Sequence, residues 1–134
     1  MTAQTSPLAS AYQLIGGPAA IRALVNRFYD LVDTEPRAAA LRQMHLNGHG
    51  LAHAREAQTD FLTGFLCGPQ LYFERNRHQD VRAIHAHLAI DRDARDAWLY
   101  CMDKALKEEG VDEALQARMM SAFTRVATML VNAG

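Results

Sequence analysis

The stretch Ala19-Ala-Ile-Arg-Ala-Leu-Val-Asn-Arg-Phe-Tyr-Asp-Leu-Val32, "AAIRALVNRFYDLV", sets the fold class. Its apolar residues Ile21, Leu24, Val25, Phe28, Leu31 and Val32 recur at three- and four-residue spacing, one face of an amphipathic helix. Upstream, Ser6-Pro7 reads as a cap followed by a proline in the first turn, opening a short helix to about Ile15. Gly16-Gly17 stops that helix and Pro18 opens the next. Downstream, Pro36 to Met44 reads as a short alanine-rich helix and Leu46 to Gly50 as a glycine-marked loop. A helix is expected from Leu51 to Leu66, with Gln58 and Asp60 interrupting its apolar side, then irregular chain over 69–79. Asp80 can cap a short helix, Asp91 or Asp93 starts one running to Lys107, and Asp112 to Asn132 is the last. Met119, Met120, Phe123, Val126, Ala127 and Leu130 are its expected inward face. No alternating strand pattern appears, so the expected class is all-α with helix-on-helix packing.

The 134 residues fit one domain, 1–134, with a short disordered start over about residues 1–6. Hydrophobic residues make up 49% and charged residues 22%, an ordinary globular composition. A net charge of −1 supplies no basic field for nucleic acid or anionic lipid. No apolar run reaches membrane-spanning length, and the N-terminus lacks a secretion-signal pattern. Cys67 and Cys101 are too few and too far apart for a disulfide framework. The expected location is the reducing cytoplasm.

The segment Val81-Arg-Ala-Ile-His-Ala-His-Leu-Ala-Ile90 carries two histidines two residues apart, which diverge by roughly 200° on a helix. His85 shares its side with Val81, Ile84 and Leu88, whereas His87 lies nearer Asp80 and Asp91. His85 is thus the inward one. A buried neutral imidazole donates from one nitrogen and keeps a lone pair on the other, which suits a metal. On spacing alone, a core histidine with ordinary hydrogen-bond partners is the commoner case. His45, His49 and His53 are spaced four apart, but glycines interrupt them and nothing nearby completes a zinc set, so a solvated loop is the better reading.

Arg82-Ala-Ile-His85, Leu88, Ile90 and Arg95-Asp-Ala-Trp-Leu-Tyr-Cys-Met102 together resemble the second group of the truncated haemoglobins. Tyr12-Gln-Leu-Ile-Gly-Gly17 resembles that family's opening helix, Arg27-Phe-Tyr-Asp30 its second, and Phe61-Leu-Thr-Gly-Phe-Leu-Cys-Gly-Pro69 the end of its distal helix. The resemblance runs from Tyr12 to Asn132 and implies a two-over-two helical sandwich around haem b. It makes His85 the iron ligand. It puts Tyr29, Trp98, Gln58 and His45 on the distal, ligand-stabilising side, and a small apolar Ala54 where animal globins carry a histidine. Phe28, Phe61, Leu62, Phe65, Val81, Leu88, Ile90 and Met102 become candidates to pack the porphyrin, although such a stripe is also what plain core looks like. Arg82 is the candidate partner for a propionate. The chain departs from the family at Ile84, Leu88, Cys67 and Arg77-His78-Gln79.

The implied function is reversible binding of oxygen, carbon monoxide, nitric oxide or similar ligands. Donors aimed at a polarised bound ligand strengthen its hold, so release should be slow. Slow release suits oxygen, nitric oxide or peroxide redox chemistry better than delivery. Turnover would require a partner reductase, because no flavin or nicotinamide motif is present. A ligand sensor or redox partner without its own turnover is the alternative, and the oligomeric expectation is a monomer or homodimer.

Overall fold

The computed structural model describes residues 8, 10–47, 50–76, 85 and 88–133. Among these the secondary structure is helical, with no strand. The elements are α1 (Ala11–Ile15), α2 (Gly17–Thr34), a 3₁₀ turn (Pro36–Ala38), α3 (Ala39–Asn47), α4 (Leu51–Phe65), α5 (Leu71–Asn76), α6 (Arg92–Glu108) and α7 (Glu113–Leu130). The expected cap at Ser6-Pro7 and the helix opened by Asp80 lie outside the described residues, apart from His85.

α2 forms where its apolar periodicity predicts. Gly16 adopts φ 118, a left-handed conformation that glycine takes without a Cβ penalty, and Pro18 sits in the first turn. Ile21, Leu24, Val25, Phe28, Tyr29, Leu31 and Val32 are buried along one face. The helix stops at Glu35, held extended at φ −76, ψ 127 because Pro36 disfavours a helical predecessor. Asp91 caps α6 by accepting from Ala94 N at 2.8 Å, and Asp112 caps α7 by accepting from Ala114 N and Leu115 N.

α2 packs on α4 and on α6, and α6 packs on α7. The two pairs, α2 with α4 and α6 with α7, make the 2-on-2 sandwich of a truncated globin. Their shared core holds Leu24, Phe28, Leu62, Met102, Leu106 and Met119. α1 docks on the far end of α4. Tyr12 N donates to Leu66 O, and the Tyr12 ring lies so close to Gly68 that a Cβ there would fall 2.3 Å from Tyr12 Cδ1.

Two expectations need correction. Pro36 to Met44 is not one helix but a 3₁₀ turn followed by an α-helix that continues to Asn47, through what reads as loop. Residues 71–76, expected irregular, form α5. It buries no residue completely, and it is held from outside by α4. The Phe61 and Tyr72 rings meet edge-on with centroids 5.7 Å apart, and Arg75 Nη1 pairs with Asp60 Oδ2 at 2.7 Å. Among the described residues no helix is long and apolar enough to cross a membrane.

Candidate functional site

A cavity of about 440 Å³ lies between the two helix pairs. α4 contributes Ala54, Ala57, Gln58, Phe61, Leu62 and Phe65, residues that recur at helical spacing on one of its faces. α7 contributes Phe123, Val126, Ala127 and Leu130, and α6 contributes Ala94, Arg95 and Trp98. Tyr29 enters from α2, His45 from α3 and Tyr72 from α5; His85, Leu88 and Ile90 complete the wall. Phe61, Phe65, Val126, Ala127 and Leu130 line the cavity and are only half-buried.

The cavity brings together Tyr29, His45, Ala54, Gln58, Phe61, Leu62, Phe65, His85, Leu88, Ile90 and Trp98 of the sequence-derived set. Phe28 and Met102 are fully buried and do not line it. Phe28 stands behind the wall, with its ring centroid 4.8 Å from Tyr29 and 5.1 Å from Trp98, so it braces two wall residues. Val81, Arg82, His87 and His49 lie outside the described residues. No group of three metal-ligating side chains occurs among the described residues.

The polar groups on the wall differ in character. Tyr29 is 2% exposed, and its hydroxyl has no hydrogen-bond partner among the described residues. Burial raises its pKa well above that of a free phenol, so the hydroxyl keeps its proton as a donor. The Trp98 indole N–H and the Gln58 amide also lack partners among the described residues. Unpaired polar groups at a buried wall cost free energy unless something in the cavity engages them. Outside, Arg55 ties α4 to α2 by bonding Asp30 Oδ1 at 2.9 Å and the Asn26 carbonyl at 3.1 Å.

His45 takes a different role from the donor expected of it. Its Nδ1 lies 2.9 Å from the Leu41 carbonyl, which can only accept, so Nδ1 carries the proton. In the neutral ring Nε2 therefore keeps its lone pair and acts as an acceptor. Burial, opposed by the Leu41 bond and reinforced by the charge of His85, lowers the His45 pKa below the usual 6.5 and favours that neutral form. The ring meets Tyr29 edge-on at 5.4 Å.

Three polar residues on or near the wall are not among the site residues expected from sequence. Arg95 lies one helical turn before Trp98, so i,i+3 spacing alone places it on the same face. Its Nε donates to Asp96 Oδ1 at 2.9 Å. Tyr72 belongs to the unexpected α5. Asn132, just past α7, bonds the main chain at Leu88 and Ile90 through both ends of its amide, and no local pattern announces it. Cys101 is buried, its thiol pushed up to about 11 by burial and then by the charge of Glu35, which leaves it a poor nucleophile.

An all-helical two-over-two sandwich with histidines on the wall of an apolar cavity is the architecture of a haem-binding globin. The bacterial-like globin family model matches residues 10–132, and the chain belongs to that family, within its group II truncated haemoglobins. A Group 2 truncated hemoglobin, YjbI of Bacillus subtilis, is 30% identical over 109 residues, covering 81% of this chain and 79% of the relative. The Group II 2-on-2 hemoglobin of Agrobacterium tumefaciens matches at 35% identity with a TM-score of 0.87, covering all of both chains. The cold-adapted truncated hemoglobin of Pseudoalteromonas haloplanktis TAC125 matches at 34% identity with a TM-score of 0.86, covering 97% of this chain and all of that one.

Globin membership implies a haem cofactor and the binding of small gaseous ligands. The residues present fit the group. The wall offers a flat apolar macrocycle half-buried side chains to cover, an imidazole at His85, and a Tyr29 hydroxyl that has no partner among the described residues.

Proposed function

We propose that the chain is a haem b protein that binds oxygen and other diatomic ligands reversibly, with His85 as the iron ligand and a polar distal side that slows release. The observation that carries this reading is the Tyr29 hydroxyl, buried on the cavity wall without a protein partner among the described residues. Haem supplies an iron centre on which a diatomic ligand can bind reversibly. The remaining work falls to this chain. His85 would hold the iron through a neutral imidazole nitrogen. Phe61, Leu62, Phe65, Leu88 and Ile90 would cover the macrocycle and exclude water. Arg95, or Arg82 outside the described residues, would meet a propionate, because guanidinium matches carboxylate geometry. Tyr29, Trp98 and Gln58 would direct N–H and O–H donors at a ligand that has gained negative charge.

One observation favours peroxide as a second substrate. The neutral His45 ring offers an acceptor nitrogen, which can take a hydrogen bond or a proton from a protic ligand such as water or a hydroperoxide. Turnover would draw electrons from an external reductase.

Stopped-flow measurement of oxygen release tests the reading. Hydrogen bonds to a charged acceptor contribute about 1.5–3 kcal/mol. Tyr29→Phe and Trp98→Phe should therefore each speed oxygen release by roughly 10- to 100-fold, while carbon monoxide release moves much less. Unchanged oxygen release in both variants would mean that neither group reaches the ligand.

A further inference from the structure

We infer that Asn132 is a positioning residue for the iron ligand, a clamp that fixes the chain immediately after His85. The inference rests on the haem reading and adds a residue to it. The His85 carbonyl accepts from Leu88 N at 3.0 Å, closing the turn that carries the imidazole. The chain then leaves through Leu88 to Ile90, where four hydrogen bonds converge from the end of α7. Ile90 N donates to Asn132 Oδ1 at 2.8 Å, and Asn132 Nδ2 donates to the Leu88 carbonyl at 3.0 Å. Asn132 N and Ala133 N both donate to the Ile90 carbonyl, at 2.9 and 3.0 Å.

A carboxamide suits this place because it presents a donor and an acceptor side by side, matching the Leu88 carbonyl and the Ile90 N–H. The clamp acts on the cavity itself. Leu88 and Ile90 line the wall from the His85 side, and Val126 and Leu130 line it from α7, whose end the clamp joins to that segment. A shift of the 88–90 segment would move the turn under His85 and the two apolar side chains beside it. Asn132 does not line the cavity, so it acts through the segment it holds.

The test uses the full-length haem-loaded protein. Asn132→Ala removes the two side-chain bonds and leaves the two main-chain bonds, so the fold survives. Resonance Raman spectroscopy of the reduced, ligand-free protein reads the iron–histidine stretch, and transfer of hemin to an excess of a high-affinity acceptor protein reads haem loss. The stretch should shift and broaden in Asn132→Ala. With two ordinary hydrogen bonds gone, haem loss should accelerate roughly tenfold. Asn132→Asp keeps the acceptor for Ile90 N but sets an oxygen against the Leu88 carbonyl, a repulsion that alanine lacks, so its haem loss should be at least as fast as that of Asn132→Ala. An unmoved iron–histidine line in Asn132→Ala overturns the clamp, even if haem is lost faster, because that is the signature of stability alone. A wild-type protein with no iron–histidine line overturns the haem reading, and the clamp falls with it.

Discussion

Removing the Arg75 guanidinium should unsettle the α5 side of the cavity by a calculable amount. Arg75 Nη1 lies 2.7 Å from Asp60 Oδ2; the Asp60 side chain is 11% exposed and that of Arg75 63%. Stripping the partner from a buried charge is worth about 3–5 kcal/mol, whereas fully exposed pairs contribute about 0–1 kcal/mol. Here the carboxylate is buried and the guanidinium is screened by solvent, so Arg75→Met should lose about 2 kcal/mol, between the two limits. For a chain of this length that corresponds to a Tm lower by roughly 6–10 °C. Urea unfolding of the haem-loaded protein measures the loss, and the cycle with Asp60→Asn isolates the pair. Asp60→Asn in the Arg75→Met background should recover part of the stability, since an amide is less costly to bury than an unpaired carboxylate. A loss below about 0.5 kcal/mol, or an Asp60→Asn effect identical with and without Arg75, would refute the argument.

Gly68→Ala should destabilise strongly, by about 1–3 kcal/mol, because its Cβ would sit 2.3 Å from the Tyr12 ring; thermal melting checks this, and a neutral result would mean that α1 can swing away freely. The neighbouring Cys67 holds φ 70 without being glycine. Cys67→Gly relieves about 1–2 kcal/mol of left-handed strain against about 0.4–1 kcal/mol of added unfolded-chain entropy, so a small net gain in urea midpoint is expected. His45 has a folded pKa below its usual 6.5, chiefly from burial. The unfolded chain therefore takes up its proton first, and stability falls as pH drops below 6.5 toward the folded value. His45→Phe should flatten that part of the acid dependence, as followed by urea midpoints across the pH range.

Much of this was legible before the structure. α2 declares itself because its buried face repeats with the helical period, and α6 and α7 because Asp91 and Asp112 cap them. The cavity wall was legible as a set of apolar faces, but periodicity separates inside from outside, not core from wall. Phe28 and Met102 point inward like Leu62 and Phe65, yet only the latter pair reach the cavity. α5 was illegible because Leu71–Asn76 is too short to show a helical repeat and buries no residue of its own; Asp60, fifteen residues before Arg75, holds it. For the same reason Asp60 reads in sequence as a polar interruption of α4 when it is a buried anchor. The acceptor role of His45 depends on the carbonyl of Leu41 one turn back, a contact helical spacing permits but does not demand. The Asn132 clamp joins residues more than forty positions apart, beyond the reach of any local pattern.

The measurement that bears most directly on the account is the absorption spectrum of the purified protein with hemin, ferric, then dithionite-reduced, then under carbon monoxide, alongside His85→Ala. The account predicts a strong Soret band in the wild type that shifts on reduction and again with carbon monoxide, and loss of stable hemin retention in His85→Ala. A protein that refuses hemin, or a His85→Ala variant that retains it with an unchanged spectrum, would contradict it.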